Sequence, residues 1–168
     1  MKSFRPPGLL GVECIIPSEA RKLSGSGLAV LQQLFRQLSP YQNAPLNAQE
    51  IENLADQSAC LLVAVDYTRN AHMVGIARLA VQREGGVRIG VIHDLVVDRE
   101  YYRRGIGTSL IHKAIELSSN FHLESVEATL KPARVAANQL FSKLGFSLTA
   151  TAHPRDEGGT NLYRLMLS

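Results

Sequence analysis

The sequence lacks tryptophan and has little cysteine, with Cys14 and Cys60 as its two representatives. These cysteines lie far apart and form neither a C-x-x-C pair nor a disulfide framework. The expected compartment is therefore a reducing one, the cytoplasm. The histidines show no ligand spacing such as H-E-x-x-H, so we expect no metal site.

The sequence also lacks long apolar runs and blocks of like charge. No apolar run is long enough to span a bilayer, and Glu13 and Pro17 interrupt the N-terminal apolar stretch, which argues against a signal peptide. The formal net charge of +3 suits an anionic small ligand as well as nucleic acid. Because no run of five like charges forms a basic arm or patch, we expect neither a nucleic-acid partner nor a membrane partner.

The length of 168 residues suits one domain with an extensive hydrophobic core. No repeat or low-complexity linker divides the chain, so residues 1–168 are expected to form a single domain. Apolar residues recur at helical spacing in "GLAVLQQLFRQL", residues 27–38. A second short helix is predicted for "NAQEIENLADQ", residues 47–57, which begins with a capping-box arrangement.

The hydrophobic period then changes from helical to extended. A first strand is predicted earlier, at Val12–Ile16, and three consecutive antiparallel strands follow the helices because their connections are too short for crossover helices. Further on, helices and strands alternate. The predicted segments are strands 60–66, 73–82 and 87–97, a helix from residue 107, strand 126–130, helix 133–146, and strands 146–151 and 160–167.

This order predicts a mixed α/β (α+β) fold with a mostly antiparallel central sheet and flanking helices. The strand at 91–97, the helix after it and the strand at 126–130 form one βαβ unit. A right-handed crossover should make those two strands parallel neighbours. The closing strands lie at a sheet edge, which invites pairing, so a homodimer through them is an open expectation.

The segment "RRGIGT", residues 103–108, lies where the predicted strand becomes a helix. Backbone N–H groups at a helix start lack intrahelical partners and attract phosphate oxygens. Gly105 and Gly107 allow close approach to the backbone, and Arg103 and Arg104 add cationic donors. The residues thus predict a phosphate or pyrophosphate on the N–H groups of residues 104–108. The alternative is that the two glycines merely make a tight turn.

The turn at residues 103–108 matches neither of the two common glycine-rich phosphate-binding motifs. The chain has no G-x-x-x-x-G-K-[ST] sequence, and Leu110 stands where a dinucleotide fingerprint requires its third glycine.

The segment "DLVVDREYYRRGIGTSLI", residues 94–111, resembles the first signature of the GNAT family of N-acetyltransferases. In that family a strand ending in L-V-V leads into an arginine-rich R-x-x-G-x-G turn that opens a helix. The segment "ANQLFSKLGF", residues 137–146, is similar to the second signature, an apolar helix with a Lys-Leu-Gly-Phe-like end. The two motifs occur in the family's order, and the resemblance covers residues 60–167.

The resemblance implies that acetyl-CoA is the donor and that its pyrophosphate lies on the Arg103–Thr108 turn, which includes Ile106. It also implies that the backbone of Leu95, Val96 and Val97 pairs with the pantetheine arm as an added strand would. A bulge in this strand would splay it from its parallel neighbour. One freed N–H, for which Leu95 is the candidate, would then point at the thioester oxygen as an oxyanion-hole donor.

Four residues of the signatures depart from the family pattern or leave alternatives open. Tyr102 occupies the position of an arginine or glutamine, and Phe141 stands where a tyrosine often protonates the leaving thiolate. Asn138, one residue from a common asparagine position, and Phe141 are placed by the resemblance among the cofactor contacts. Arg134 either meets the adenosine phosphate or is an ordinary exposed arginine. Tyr163 and His153 are other possible proton donors to the thiolate, but neither lies at a motif position.

Asp94 is an acid inside an otherwise apolar strand, beside the expected splay. Only a neutral amine attacks a thioester, so a base close to the acceptor helps the reaction. Asp94 is the candidate base, and some GNAT enzymes resemble this chain in having an aspartate there. The alternative is an aspartate that bonds a neighbouring loop. Asp66 and Glu84 are predicted to be solvated.

The sequence thus predicts an N-acetyltransferase that moves an acetyl group from acetyl-CoA to a primary amine by direct attack in a ternary complex. The acceptor, a small molecule or a peptide, is left open, because residues 18–58 carry no motif. A non-catalytic acyl-CoA-binding or regulatory module on the same fold is the alternative, and Phe141 is the feature that favours it.

Overall fold

The computed structural model describes residues 10–15, 25–38, 60–70, 72–151 and 159–168. Strands and helices are numbered in chain order within these ranges. The strands are β1 (Leu10–Ile15), β2 (Cys60–Asp66), β3 (His72–Glu84), β4 (Val87–Val97), β5 (Ser125–Leu130), β6 (Ser147–Ala150) and β7 (Asn161–Met166). The helices are α1 (Gly25–Leu38), α2 (Ile106–Asn120) and α3 (Val135–Lys143).

The strands form one seven-stranded sheet in the order β1-β2-β3-β4-β5-β7-β6. Every neighbouring pair is antiparallel except β4 and β5, which are parallel. This confirms the mixed, mostly antiparallel sheet and the parallel βαβ unit. The first strand begins two residues earlier than predicted, at Leu10, because its pairing with β2 extends to Asp66. The helix predicted at 47–57 and His153 lie outside the described residues.

The two faces of the sheet carry separate apolar clusters. Alternate residues of β2 divide between them, as the twofold period of a strand requires. Leu61 and Val63 pack with Leu31 and Leu34 of α1. The opposite cluster contains Leu62 together with α2 residues such as Leu110, and Phe141 of α3. The helices therefore sandwich the sheet, and β4 contributes to both clusters.

A β-bulge interrupts β4 near its C-terminal end. Ile76 pairs with Val96 and Arg78 pairs with His93, so Asp94 and Leu95 together oppose the single residue Ala77. Asp94 takes up the extra residue with a positive φ of 53°, a conformation that aspartate tolerates better than most residues. The bulge redirects the end of β4, as bulges beside functional sites commonly do.

The pairing between β4 and β5 ends just before the bulge. Their parallel register runs from Ile89 with Ser125 to Ile92 with Ala128 and goes no further. We call the divergence of the two strands beyond this point the splay. Among the described strands, none neighbours the β5 side of residues 93–97, and this gap opens the candidate site.

Candidate active site

A groove of about 590 Å³ runs along the end of β4, from the splay to the start of α2. We call it the β4–α2 groove. It brings together most of the predicted cofactor contacts. Its lining comprises Gln37, Leu95, Val96, Val97, Tyr101, Tyr102, Arg103, Gly105, Ile106, Gly107, Thr108, Arg134, Ala136, Ala137 and Leu140.

The turn at residues 103–108 forms one end of the groove. Arg103 and Gly105 both adopt left-handed backbone conformations, with φ of 64° and 74°. Gly105 is the N-cap of α2 and makes no side-chain capping hydrogen bond, while the N–H of Ser109 donates to its carbonyl at 3.0 Å. The N–H groups of residues 106–108 therefore precede the first intrahelical bond. Together with the helix dipole, they can bind an anion.

The two glycines of this turn have different roles. An added Cβ at Gly105 would meet no atom within 4 Å, so the left-handed φ alone favours glycine there. An added Cβ at Gly107 would lie 3.1 Å from Cδ2 of Leu140. Gly107 thus allows the first turn of α2 to pack closely against α3, and it keeps the groove open between the two helices.

A buried polar cluster fixes the approach to the turn. The hydroxyl of Tyr101 donates to Oδ2 of Asp66 at 2.7 Å and accepts from Arg69 at 3.1 Å. The guanidinium of Arg104 lies 4.6 Å from the centre of the Tyr101 ring, in cation–π geometry. Hydrogen bonds from Thr68 and then Tyr101 lower the pKa of the Asp66 carboxyl.

The prediction of a solvated Asp66 is therefore wrong. Its side chain is 6% exposed, because β2 carries it under the 3-10 turn that follows and Tyr101 covers it. Glu84, in contrast, is exposed as predicted.

Asp94 forms an ion pair with Arg78 of the adjacent strand β3, through Oδ2 and the guanidinium Nε. The aspartate side chain is 26% exposed and lies beside the lining of the groove rather than within it. The bulge and the ion pair together fix its carboxylate near the splay. The neighbouring His93 is half-buried, and burial, followed by the positive charge of Arg78, lowers its pKa.

Side chains satisfy the two carbonyls of β4 that face the splay. Arg134 donates through Nη2 to the Leu95 carbonyl at 2.8 Å, and Gln37 donates through Nε2 to the Val97 carbonyl at 2.9 Å. In a strand the N–H and carbonyl of one residue point the same way. The N–H groups of Leu95 and Val97 consequently face the splay as well. This edge has the hydrogen-bonding pattern that an added strand would use.

Asn138 and Phe141 lie away from the groove lining. Asn138 donates to the carbonyls of Lys131 and Arg134, and its Oδ1 accepts from Asn161 and Tyr163. Phe141 is fully buried and stacks on Tyr163. Arg104 also points elsewhere and lines a smaller cavity of about 270 Å³ beside β1. Only its backbone belongs to the turn.

Sequence reasoning missed several residues of the groove. Gln37 is one polar residue on a helix whose apolar stripe carried the prediction, so nothing in the local sequence marks it. Ala136, Ala137 and Leu140 carry no polar group that would distinguish a groove contact from a core residue in the sequence. For Arg134 the sequence does not distinguish between a phosphate contact and an ordinary exposed arginine. Its contact with Leu95 spans 39 residues and depends on the loop after β5.

The sequence model of the acetyltransferase (GNAT) family matches residues 28–146, well over half of the chain. The chain belongs to the acetyltransferase (GNAT) family. It is accordingly an N-acetyltransferase with acetyl-CoA as its donor and an amine as its acceptor, as the two signatures predicted. The alternative of a non-catalytic module is not needed to explain any feature of the groove.

Relatives of this GNAT chain agree in sequence and in fold. It is 29% identical over 143 residues to a glucosamine 6-phosphate N-acetyltransferase of Trypanosoma brucei brucei, covering 79% of this chain and 90% of the relative. The NAA60 structure of Arabidopsis thaliana in complex with acetyl-CoA superposes with a TM-score of 0.71 at 17% identity, covering 95% of this chain and all of that one.

A second solved structure is the putative acetyltransferase yncA of Salmonella typhimurium with its cofactor acetyl-CoA. It superposes with a TM-score of 0.73 at 14% identity, covering 95% of each chain. At such identities these two likenesses show a shared fold. Within the described ranges, no helix of this GNAT domain has the length and apolarity of a membrane span, and no three metal-binding side chains converge.

Proposed function

We propose that acetyl-CoA lies along the β4–α2 groove, with its pyrophosphate on the turn at residues 103–108 and its thioester at the splay. The observation that carries this proposal is the open edge of β4, whose groups at Leu95 and Val97 face the groove. The pantetheine amides would pair with this edge and replace one or both side-chain donors. The free N–H groups of residues 106–108 support the placement of the pyrophosphate at the opposite end.

The Leu95 N–H is our candidate for the oxyanion donor. It follows the bulge directly and faces the splay, where the thioester carbonyl would lie. A fixed backbone donor stabilises the negative charge that develops on this oxygen when the amine attacks. Val96 and Arg103, two further predicted contacts, line the same groove, although the backbone of Val96 pairs with Ile76 of β3.

Asp94 is our candidate for the base that accepts the proton of the attacking amine. Its Oδ2 is paired with Arg78, and the described part of the chain shows no hydrogen bond to its Oδ1. The amine nitrogen attacks the thioester carbon, its proton passes to Asp94, and the carbon–sulfur bond breaks. Cys60 is buried in the core and does not line the groove, which supports direct attack without an acetyl-cysteine.

For the acceptor, we propose a small primary amine and place glucosamine 6-phosphate first among those to test. The trypanosomal relative that covers 79% of this chain bears that activity in its name. The assay follows acetyl-CoA-dependent thiol release with glucosamine 6-phosphate, unphosphorylated glucosamine, a polyamine and a peptide N-terminus. Preference for the phosphorylated sugar supports the assignment, and equal rates for all four amines contradict it.

A further inference from the structure

At Phe141 the chain lacks the tyrosine that often protonates the departing CoA thiolate in the family. Phe141 has no ionisable group and is fully buried. The hydroxyl of Tyr163 is buried and lies 2.9 Å from Oδ1 of Asn138, so its proton is already donated. Neither side chain lines the groove. Neither of these two side chains can therefore protonate the sulfur, and a cation beside it would stabilise its negative charge instead.

Arg134 is the cation at the splay end of the groove. Its Nη2 donates to the Leu95 carbonyl at 2.8 Å, across the gap between the diverging strands. A guanidinium has five N–H donors, so one bond leaves others available, and Arg134 lines the groove. Asn138 holds the backbone beneath it, because its Nδ2 donates to the Arg134 carbonyl at 2.8 Å. The main chain of Arg134 is therefore held in place, and its tip lies at the edge of β4 that the pantetheine arm would use.

In the orientation proposed above, acetyl-CoA would place its sulfur beside Arg134. If the pyrophosphate occupies the turn at residues 103–108, the reacting end of the pantetheine arm reaches the splay, where Leu95 and Arg134 lie. This step rests on the proposed function. Asp94 and Tyr102 are the titratable groups that act on Arg134 electrostatically, and Arg103 also lines the groove. Asp94 is paired with Arg78, so its charge opposes the thiolate less than a free carboxylate would.

We propose that Arg134 is a catalytic residue that stabilises the CoA thiolate as it leaves. When the carbon–sulfur bond breaks, its electron pair passes to sulfur, and the guanidinium pairs with the resulting anion. The proton of the amine goes to Asp94 and then to solvent, and the thiolate takes up a proton from water after release. In this proposal a cation at Arg134 takes the place of a tyrosine that would donate a proton to sulfur. This is sufficient because a thiol is acidic enough to leave as its anion.

The test compares the binding of CoA with that of desulfo-CoA, which has hydrogen in place of the thiol, as the pH rises. A nearby cation favours the thiolate, so the thiol of bound CoA should titrate about one unit below the ~8.5 of an unperturbed thiol. The preference for CoA over desulfo-CoA should then grow about sixfold between pH 7 and pH 9. Thiolate absorbance of the bound CoA, measured in the ultraviolet, reports the same titration.

Three variants make the comparison specific. Arg134→Gln should bind desulfo-CoA as the parent protein does, but its preference for CoA should no longer depend on pH. Arg134→Lys keeps the charge and should retain part of the dependence. Arg103→Gln removes a cation from the other end of the groove, so it should weaken both ligands equally and leave the pH dependence unchanged.

The outcomes separate this inference from the proposed function. If neither CoA nor desulfo-CoA binds, or if both bind without involving the groove, the placement of acetyl-CoA is wrong. If both bind but the preference does not change with pH, or if Arg134→Gln retains the change, Arg134 does not stabilise the thiolate. We expect Arg134→Gln to lower kcat by about 10²-fold, the effect of losing one donor that acts on developing charge.

Discussion

The two ends of the β4–α2 groove are built in different ways. The turn end consists of backbone N–H groups held by left-handed residues and by the buried cluster of Tyr101 and Asp66. The splay end consists of long side chains, Arg134 and Gln37, that occupy strand carbonyls. The turn end is thus fixed before a ligand arrives, whereas the splay end must exchange partners when a pantetheine arm pairs with β4. The end that would bind the pyrophosphate is therefore rigid, whereas the end where the thioester would react contains side chains that change partners.

The largest expected effect on CoA binding comes from filling the turn end. Gly107→Leu would overlap Leu140, which lies 3.1 Å from the position of an added Cβ, and it would narrow the groove. We expect the affinity for CoA to fall by about 100-fold, because packed helices cannot absorb the extra volume. Calorimetric titration measures the affinity, and thermal unfolding reports whether the fold survives.

Gly105→Ala is the matched control for Gly107→Leu. Its added methyl meets no atom within 4 Å, so the cost is the left-handed conformation alone, about 1–2 kcal/mol. It should lower the Tm and affect CoA binding much less than Gly107→Leu. Equal losses of affinity in both variants would mean that backbone conformation, and not packing, governs this end of the groove.

At the splay end, Asp94→Asn tests the chemistry without filling the site. We expect kcat to fall by about 10²–10⁴-fold, the usual contribution of a general base, with little change in CoA affinity. Steady-state kinetics and direct titration of CoA separate the two effects. Arg78→Gln, which removes the partner of Asp94, should lower kcat less, because the carboxylate remains. If both variants lose stability but keep full kcat, Asp94 is a structural residue.

A smaller effect is expected when the support of the turn is loosened. Tyr101→Phe removes the hydroxyl that joins Asp66 and Arg69 but retains the ring beneath Arg104. The Kd for CoA should rise several-fold and the Tm should fall, while kcat at saturating substrates should change little. A change in kcat without a change in Kd would show that this cluster acts on the reacting end instead.

The smallest expected effect is a dependence of the free energy of unfolding on pH. The pKa of Asp66 is lowered from its ordinary value of 3.8 by hydrogen bonds from Thr68 and Tyr101. The folded state therefore binds this proton less readily than the unfolded state. The contribution of Asp66 is fully present above about pH 4 and is lost as the pH falls through the lower, folded value. Asp66→Asn should flatten this part of the stability curve, measured by denaturant unfolding between about pH 5 and pH 2.

The local sequence predicted the structure correctly where a feature depends on residues that are close in the chain. The alternation of strands and helices, the parallel βαβ unit and the turn at residues 103–108 all follow from periodicity and glycine placement. Prediction was weaker where long-range contacts decide. Asp66 looked like a solvated turn residue because Tyr101, which covers it, is 35 residues away.

A buried acid in a strand also proved insufficient to mark a site. Glu127 of β5 is 7% exposed and pairs with Arg164 of β7, away from the groove lining. Asp94 of β4 differs because it lies in the bulge beside the splay. The sequence shows an acid among apolar residues in both cases, and only strand pairing distinguishes them.

The sequence by itself determined the family, the order of the elements and the position of the turn, because these depend on motifs and periods within a few tens of residues. Tertiary structure decided which side chains face the groove. In the folded chain Asn138 donates to the backbone carbonyl of Arg134, Phe141 is buried, and the Arg134 side chain contacts the Leu95 carbonyl. The physical reason is that a side chain's partners depend on where the strands diverge, and that divergence arises only when β4 pairs with β3 and β5 in their particular registers.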